Sequence, residues 1–235
     1  MAGQQGFLYE GRVFNRLKSK NLVPAGVKPA GANPNAPDAV FLYNNAPHNL
    51  EIKLDLATDF GQGTLDYNGS WQLGGVQEFT KAGKAIAGFA AAEEMRNILN
   101  AVGAVQFANT SWGYKGAPNK GTVANKDITE EMVREDYRRF TDKFLSVPLS
   151  SLFNYYAAKN TYYIQIGGYG MYYMSGNPAN LPVPKFNGSM KLRIRLKRGG
   201  STPIYNYRFT TALQVVQKPT KSKYDVDTNL DFLAS

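Results

Sequence analysis

Cysteine is absent from this chain, which excludes disulfides and thiolate metal sites and fits a reducing compartment, the cytoplasm. Histidine occurs once, at His48, so neither a His-based catalytic triad nor a His-rich zinc site is expected. His48 itself reads as a strand-start or turn residue. No apolar run approaches the ~18 residues that a membrane span requires. The first residues, Met1 to Gln5, do not read as a signal peptide. Nothing repeats at a fixed period, which argues against a solenoid. Acidic residues are the scarcer charge: 18 against 27 basic ones, a net charge of +9. That balance favours a polyanionic partner by electrostatics that ignore sequence. With 235 residues, 43% of them hydrophobic, the chain can bury one sizeable core.

What is present centres on Pro37-Asp38-Ala39-Val40-Phe41-Leu42-Tyr43, then Asn44-Asn45-Ala46-Pro47, then His48-Asn49-Leu50-Glu51-Ile52-Lys53-Leu54. Two apolar-rich runs flank a cluster of turn formers, the pattern of a β-hairpin. Strand side chains alternate between faces, so Leu50, Ile52 and Leu54 share one face and Glu51 and Lys53 the other. A two-residue Asn44-Asn45 turn sets Asp38 opposite Glu51. A longer loop that takes in Ala46 and Pro47 sets it opposite Lys53. Opposed Cβ atoms lie roughly 4.5–5.5 Å apart, so either register gathers Asp38, Glu51 and Lys53 at one spot.

Two carboxylates so close repel, and one holds its proton unless a cation lies between them. Hard divalent ions such as Mg²⁺ are held by one or two carboxylates with water and substrate phosphate. A lysine beside them adds a point charge for a phosphate or helps to orient or deprotonate a water. The chemistry implied is metal-assisted hydrolysis of a phosphodiester. An exposed hairpin with ordinary surface charges is the competing reading.

Pro37-Asp38 and Glu51-Ile52-Lys53, separated by 12 residues between Asp38 and Glu51, resemble the two halves of the PD-(D/E)xK motif of that nuclease superfamily. The resemblance covers roughly residues 5–100. It implies a restriction-endonuclease-like fold of the α/β (α+β) class, a mixed central sheet flanked by helices, here with extra C-terminal β-strands. It implies Mg²⁺ or Mn²⁺ held by Asp38 and Glu51, with the Ile52 carbonyl as a further ligand and Glu10 as a third carboxylate. Lys53 would serve the water and the phosphate. The implied activity is a DNA endonuclease, and exonucleases and junction resolvases use the same core. The partner would be DNA, a homodimer is admitted, and the setting would be a bacterial or phage-infected cell.

The rest of the chain is read from pattern. Residues 5–20 predict a helix with Phe7, Val13, Phe14 and Leu17 on one face and Glu10 inside the apolar arc. Residues 21–36 form a Pro/Gly/Asn loop. Asp55 either extends the acidic face or is a charge at the strand end. Residues 75–102 predict a long helix, with Gln77 and Lys81 as active-site support or as surface residues. Residues 103–126 predict a loop in which Lys115 and Lys120, beside Trp112 and Tyr114, suit a phosphate backbone and an unstacked base. Asp127 to about Leu145 predicts a charged helix with Met132, Val133, Tyr137, Phe140 and Phe144 inward and Asp136 on an ion-paired, solvated face. A second helix spans Pro148–Lys159.

Strands follow at Tyr162–Ile166 and Met171–Met174. In Lys191–Lys197 the aliphatics alternate with Lys191, Arg193, Arg195 and Lys197, a cationic face suited either to a DNA backbone or to guarding a sheet edge. Tyr205–Val216 makes a partner strand through a Gly199–Pro203 hairpin. The expected organisation is one domain over residues 1–235: core motifs 5–100, a helical insertion at about 127–159, a strand-rich part at 160–216 and a polar tail at 217–235. Two other function classes compete: a non-catalytic nucleic-acid-binding protein, and a viral structural or assembly protein.

Overall fold

Asn44 and Asn45 adopt left-handed backbone, with φ of 49° and 60°. A two-residue type I′ turn demands this, and asparagine tolerates it better than most residues. The turn folds β1 (Ala39–Tyr43) onto β2 (Ala46–Lys53). Tyr43 pairs with Ala46 and Ala39 with Leu50, so the shorter loop forms and Ala46 and Pro47 belong to the strand. A computed structural model describes residues 2–29, 36–67, 71–73, 99–112, 128–198 and 207–233.

β2 continues the sheet in parallel with β6 (Thr161–Ile166), and β6 pairs antiparallel with β7 (Gly170–Tyr173). The result is a four-stranded mixed sheet in the order β1-β2-β6-β7. Helix α1 (Ala2–Ser19) lays Tyr9, Val13, Phe14 and Leu17 into a core with Phe41, Leu50, Ile52, Tyr163 and Met171. Phe7 does not join them: it is 52% exposed. Tyr9, Val13 and Leu17 recur every four residues and define the inward arc, which leaves Phe7 beyond its edge. Glu10 stays within the arc and is half-buried.

The C-terminal residues enter this same core through Val226, Leu230 and Leu233, the last in a 3₁₀ turn at Asp231–Leu233. Arg12 grips Asp227 with two hydrogen bonds of 2.9 and 2.6 Å. The tail, polar by composition, is a docked segment, because its few aliphatics fall where the sheet needs cover.

The chain divides into two compact units. The first holds residues 1–60, 147–191 and 214–235, and the second holds 61–146 and 192–213. No linker is visible in the sequence because three of the four crossings run inside continuous strands, β5 (Lys143–Val147), β8 (Ser189–Arg198) and β9 (Tyr207–Gln217). The other sheet runs β4-β3-β9-β8-β5, with β3 at Gly61–Tyr67, β4 at Trp71–Leu73 and β5 at Lys143–Val147. Helices α2 (Ala104–Thr110) and α3 (Glu130–Arg139) bring Phe107 and Phe140 against Phe209, with ring centroids 5.8 and 4.9 Å from it.

Three expectations are corrected here. The helix predicted to about Leu145 stops at Arg139, and Lys143–Val147 pairs as a strand beside β8, which leaves Phe144 exposed. Sheet hydrogen bonding outweighs helix propensity in that short run. Asp136 is fully buried and not solvated, accepting from Ser111 Oγ at 2.8 Å and the Trp112 amide at 2.9 Å. The predicted 103–126 loop contains helix α2. Helix α4 (Ser150–Ala157) falls inside its predicted span. Most of the predicted 75–102 helix and the Gly199–Pro203 hairpin lie outside the described residues.

Candidate active site

The hairpin register places Asp38, one residue before β1, beside Glu51 on β2. Asp38 Oδ2 accepts from the Ile52 amide at 2.8 Å, which ties the acid to the neighbouring strand. Lys53, one alternation beyond Glu51, turns its amine back so that Nζ lies 2.6 Å from Glu51 Oε1. The three residues picked out in the sequence therefore meet.

Glu51 is only 4% exposed, because β6 covers its strand and α4 covers its face. Tyr156 of α4 donates to Glu51 Oε1 at 3.1 Å and also lies against the Phe60 carbonyl. Lys159, just past the end of α4, puts Nζ 3.6 Å from Glu51 Oε2. Glu51 Oε2 itself has no hydrogen-bond partner. Read from the sequence, neither Tyr156 nor Lys159 has a role at the site, and Lys159 enters only as the end of a helix. Their three-residue spacing puts them on one helical face, but Glu51 lies 105 residues before Tyr156. No local signal reports a contact across that distance.

The charges are strained. Burial pushes the Asp38 carboxyl up to about 7, the Glu51 charge adds to this, and Lys53 and the Ile52 amide oppose it. Glu10 is also raised, first by burial and then by Glu51, with Lys53 working against the rise. Burial would raise Glu51 as well, but the charges of Lys53 and Lys159, with hydrogen bonds from Lys53 and Tyr156, hold it below the usual carboxylate range. Lys53 is raised: burial alone would lower it, and the charges of Glu51 and Asp38 outweigh burial. Glu10, Asp38, Glu51 and Lys53 thus act on one another as a single electrostatic group.

Among the described residues, no three acidic or histidine side chains converge as a ready-made metal centre. The fit to a divalent cation is nonetheless physical. A carboxylate oxygen is buried without a hydrogen bond, and two further acids, Asp38 and Glu10, are pushed toward protonation by burial and by the charge of Glu51. An added positive charge relieves both conditions. The Lys53 amine already does so in part, standing where cationic charge is wanted. Ile52 buries its side chain in the core, so it has only main-chain atoms to offer.

The remaining candidates are scattered. Asp55 does not extend the acidic face: Oδ1 accepts from Ala57 N, Thr58 N and Thr58 Oγ1, which closes the turn after β2. His48 lies within β2, its ring 5.5 Å from that of Phe41 and 6.0 Å from that of Tyr163, and burial lowers its pKa. Arg193, Arg195 and Lys197 lie in the second unit on β8, alternating with buried Leu192, Ile194 and Leu196. Arg193 stands 3.9 Å from Asp142. Gln77, Lys81, Lys115 and Lys120 lie outside the described residues. No described helix is long and apolar enough to cross a membrane. No family model, curated protein or solved structure matches this chain.

Proposed function

We propose that this chain is a divalent-metal-dependent nuclease of the PD-(D/E)xK kind, acting on DNA as an endonuclease. The observation that carries the reading is the meeting of Asp38, Glu51 and Lys53 at the end of one hairpin, with Glu51 buried. The mixed sheet, with the motif hairpin paired in parallel to β6 and α1 packed on it, supports the restriction-endonuclease-like form of the fold. Asp38 and Glu51 would hold Mg²⁺ or Mn²⁺, with Glu10 and the Ile52 carbonyl beside them. When bound, the ion would supply Lewis-acid polarisation of a phosphoryl oxygen and a more acidic water.

The chain's own groups do the rest. Asp38 is held against the Ile52 amide, so its carboxylate keeps one orientation. Lys53 gives up its ion pair with Glu51 and offers its ammonium to a phosphate oxygen or to the attacking water. Tyr156 keeps Glu51 from turning as Lys53 leaves. A protein that only binds nucleic acid gains nothing from a pair of acids gathered where phosphate must lie.

The test is incubation of supercoiled plasmid with Mg²⁺ or Mn²⁺. Wild type is expected to nick or linearise it, and Asp38→Ala and Lys53→Ala each to lose about 100-fold or more in rate. Cutting that persists undiminished in both variants refutes the site. Binding without cutting under either metal favours the non-catalytic reading.

A further inference from the structure

Two ammonium groups attend one carboxylate, and they do so on different terms. Lys53 Nζ sits 2.6 Å from Glu51 Oε1 and is drawn by Asp38 as well. Its loyalty is divided. Lys159 Nζ lies 3.6 Å from Glu51 Oε2, and the adjoining helix α4 flanks it, 5.6 Å away at the ring centroid of Tyr156 and 5.9 Å at that of Tyr155. Tyr156 completes the clamp on Oε1 from the same helix.

A carboxylate as buried as Glu51 does not stand without a counter-charge. If Lys53 were its only protein cation, moving that amine to a phosphate would strip Glu51 bare unless a metal ion were already in place, and the ion pair would resist the move. Lys159 removes the conflict. We propose that Lys159 is a positioning residue: it holds Glu51 aimed from the turn after α4, which frees Lys53 for the reacting phosphate. The inference rests on the nuclease reading above and adds a division of labour between two lysines. Lys159 also lies just past a helix C-terminus, where any cation is favourable. The test must therefore separate a clamp from a helix cap.

Lys159→Met keeps the length of the side chain and removes its charge, and Lys159→Arg keeps the charge. On plasmid DNA with Mg²⁺, Lys159→Met is expected to lower kcat about tenfold or more with KM changed less than about threefold, and Lys159→Arg to recover most of kcat. A helix cap alone would lower stability and leave the kcat of the folded fraction unchanged. Unaltered kcat in Lys159→Met, a rise in KM alone, or no recovery in Lys159→Arg overturns the proposal.

A second measurement serves if Lys159→Met does not fold. The ammonium ¹H–¹⁵N signals of Lys53 and Lys159 are followed in the wild-type protein as Mg²⁺ is added. The Lys53 signal is expected to shift or exchange faster while that of Lys159 stays protected. If both move together, the division of labour is wrong and the metal site survives. If neither moves, the metal reading fails and takes this inference with it.

Discussion

Tyr156 donates its hydroxyl to Glu51 Oε1 at 3.1 Å, joining a helix to a strand 105 residues away. The same hydroxyl lies against the Phe60 carbonyl, so its one proton is shared between two buried acceptors. Tyr156→Phe removes this donor from the Phe60 carbonyl and leaves Glu51 Oε1 with Lys53 alone, and is expected to cost about 1–3 kcal/mol of stability. Urea unfolding of the two proteins measures this. A difference within experimental error would mean that the contact does not hold Glu51.

Asp38 supplies a pH dependence whose sign follows from its raised pKa. The folded protein holds the Asp38 proton more tightly than the unfolded chain, whose carboxyl titrates near 3.8. Its contribution to stability is therefore fully present below that value and is lost as pH rises through about 7. Asp38→Asn removes this penalty while its side-chain oxygen still accepts from Ile52. The variant is expected to be the more stable by about 1–3 kcal/mol at pH 8, after allowance for partial solvent screening, with the gap closing toward pH 4. Urea midpoints at the two pH values decide it. A gap of equal size at both removes the titration of Asp38 from the account.

Gly167 follows β6, donates its amide to the Lys53 carbonyl at 2.9 Å, and has no room for a side chain. A Cβ there would collide with the backbone oxygen of Leu54 and stand 3.2 Å from the Tyr9 ring. Gly167→Ala must therefore push the chain away at Leu54, just past β2, and is expected to cost about 1–3 kcal/mol. Thermal denaturation gives the magnitude, and an unchanged melting temperature would contradict the packing described.

The Asn44-Asn45 turn makes the register testable. Asn45 has φ of 60°, which a β-branched residue adopts only with strain. Asn45→Val is expected to destabilise by about 1–2 kcal/mol, and Asn45→Gly to be neutral or slightly stabilising. Equal stability of the two variants would argue for the longer loop and the other pairing of Asp38.

How much of this was legible beforehand follows from the range of each interaction. The hairpin was readable because alternation in Leu50–Leu54 and the Asn-Asn pair are local signals. They fixed which acids could meet. Tyr156 and Lys159 were not readable, since nothing near them in the chain announces Glu51. Lys143–Val147 misled because its apolar spacing also suits a helix, and only pairing beside β8 decides between the two. Asp136 looked like one charge in a solvated run until the backbone of Trp112 and the hydroxyl of Ser111 came to it from outside the helix. The tail from Lys218 has a polar composition, and three aliphatics in it outweigh that by docking.

The central claim is that Asp38 and Glu51 exist to hold a divalent cation with Lys53 at its side. Anomalous diffraction from crystals soaked in Mn²⁺ tests it most directly. The account predicts one strong peak between the two carboxylates with the Lys53 amine displaced from Glu51, and no such peak in Asp38→Ala crystals. A soaked wild-type crystal in which Lys53 remains paired to Glu51 and no peak stands beside either acid would contradict it.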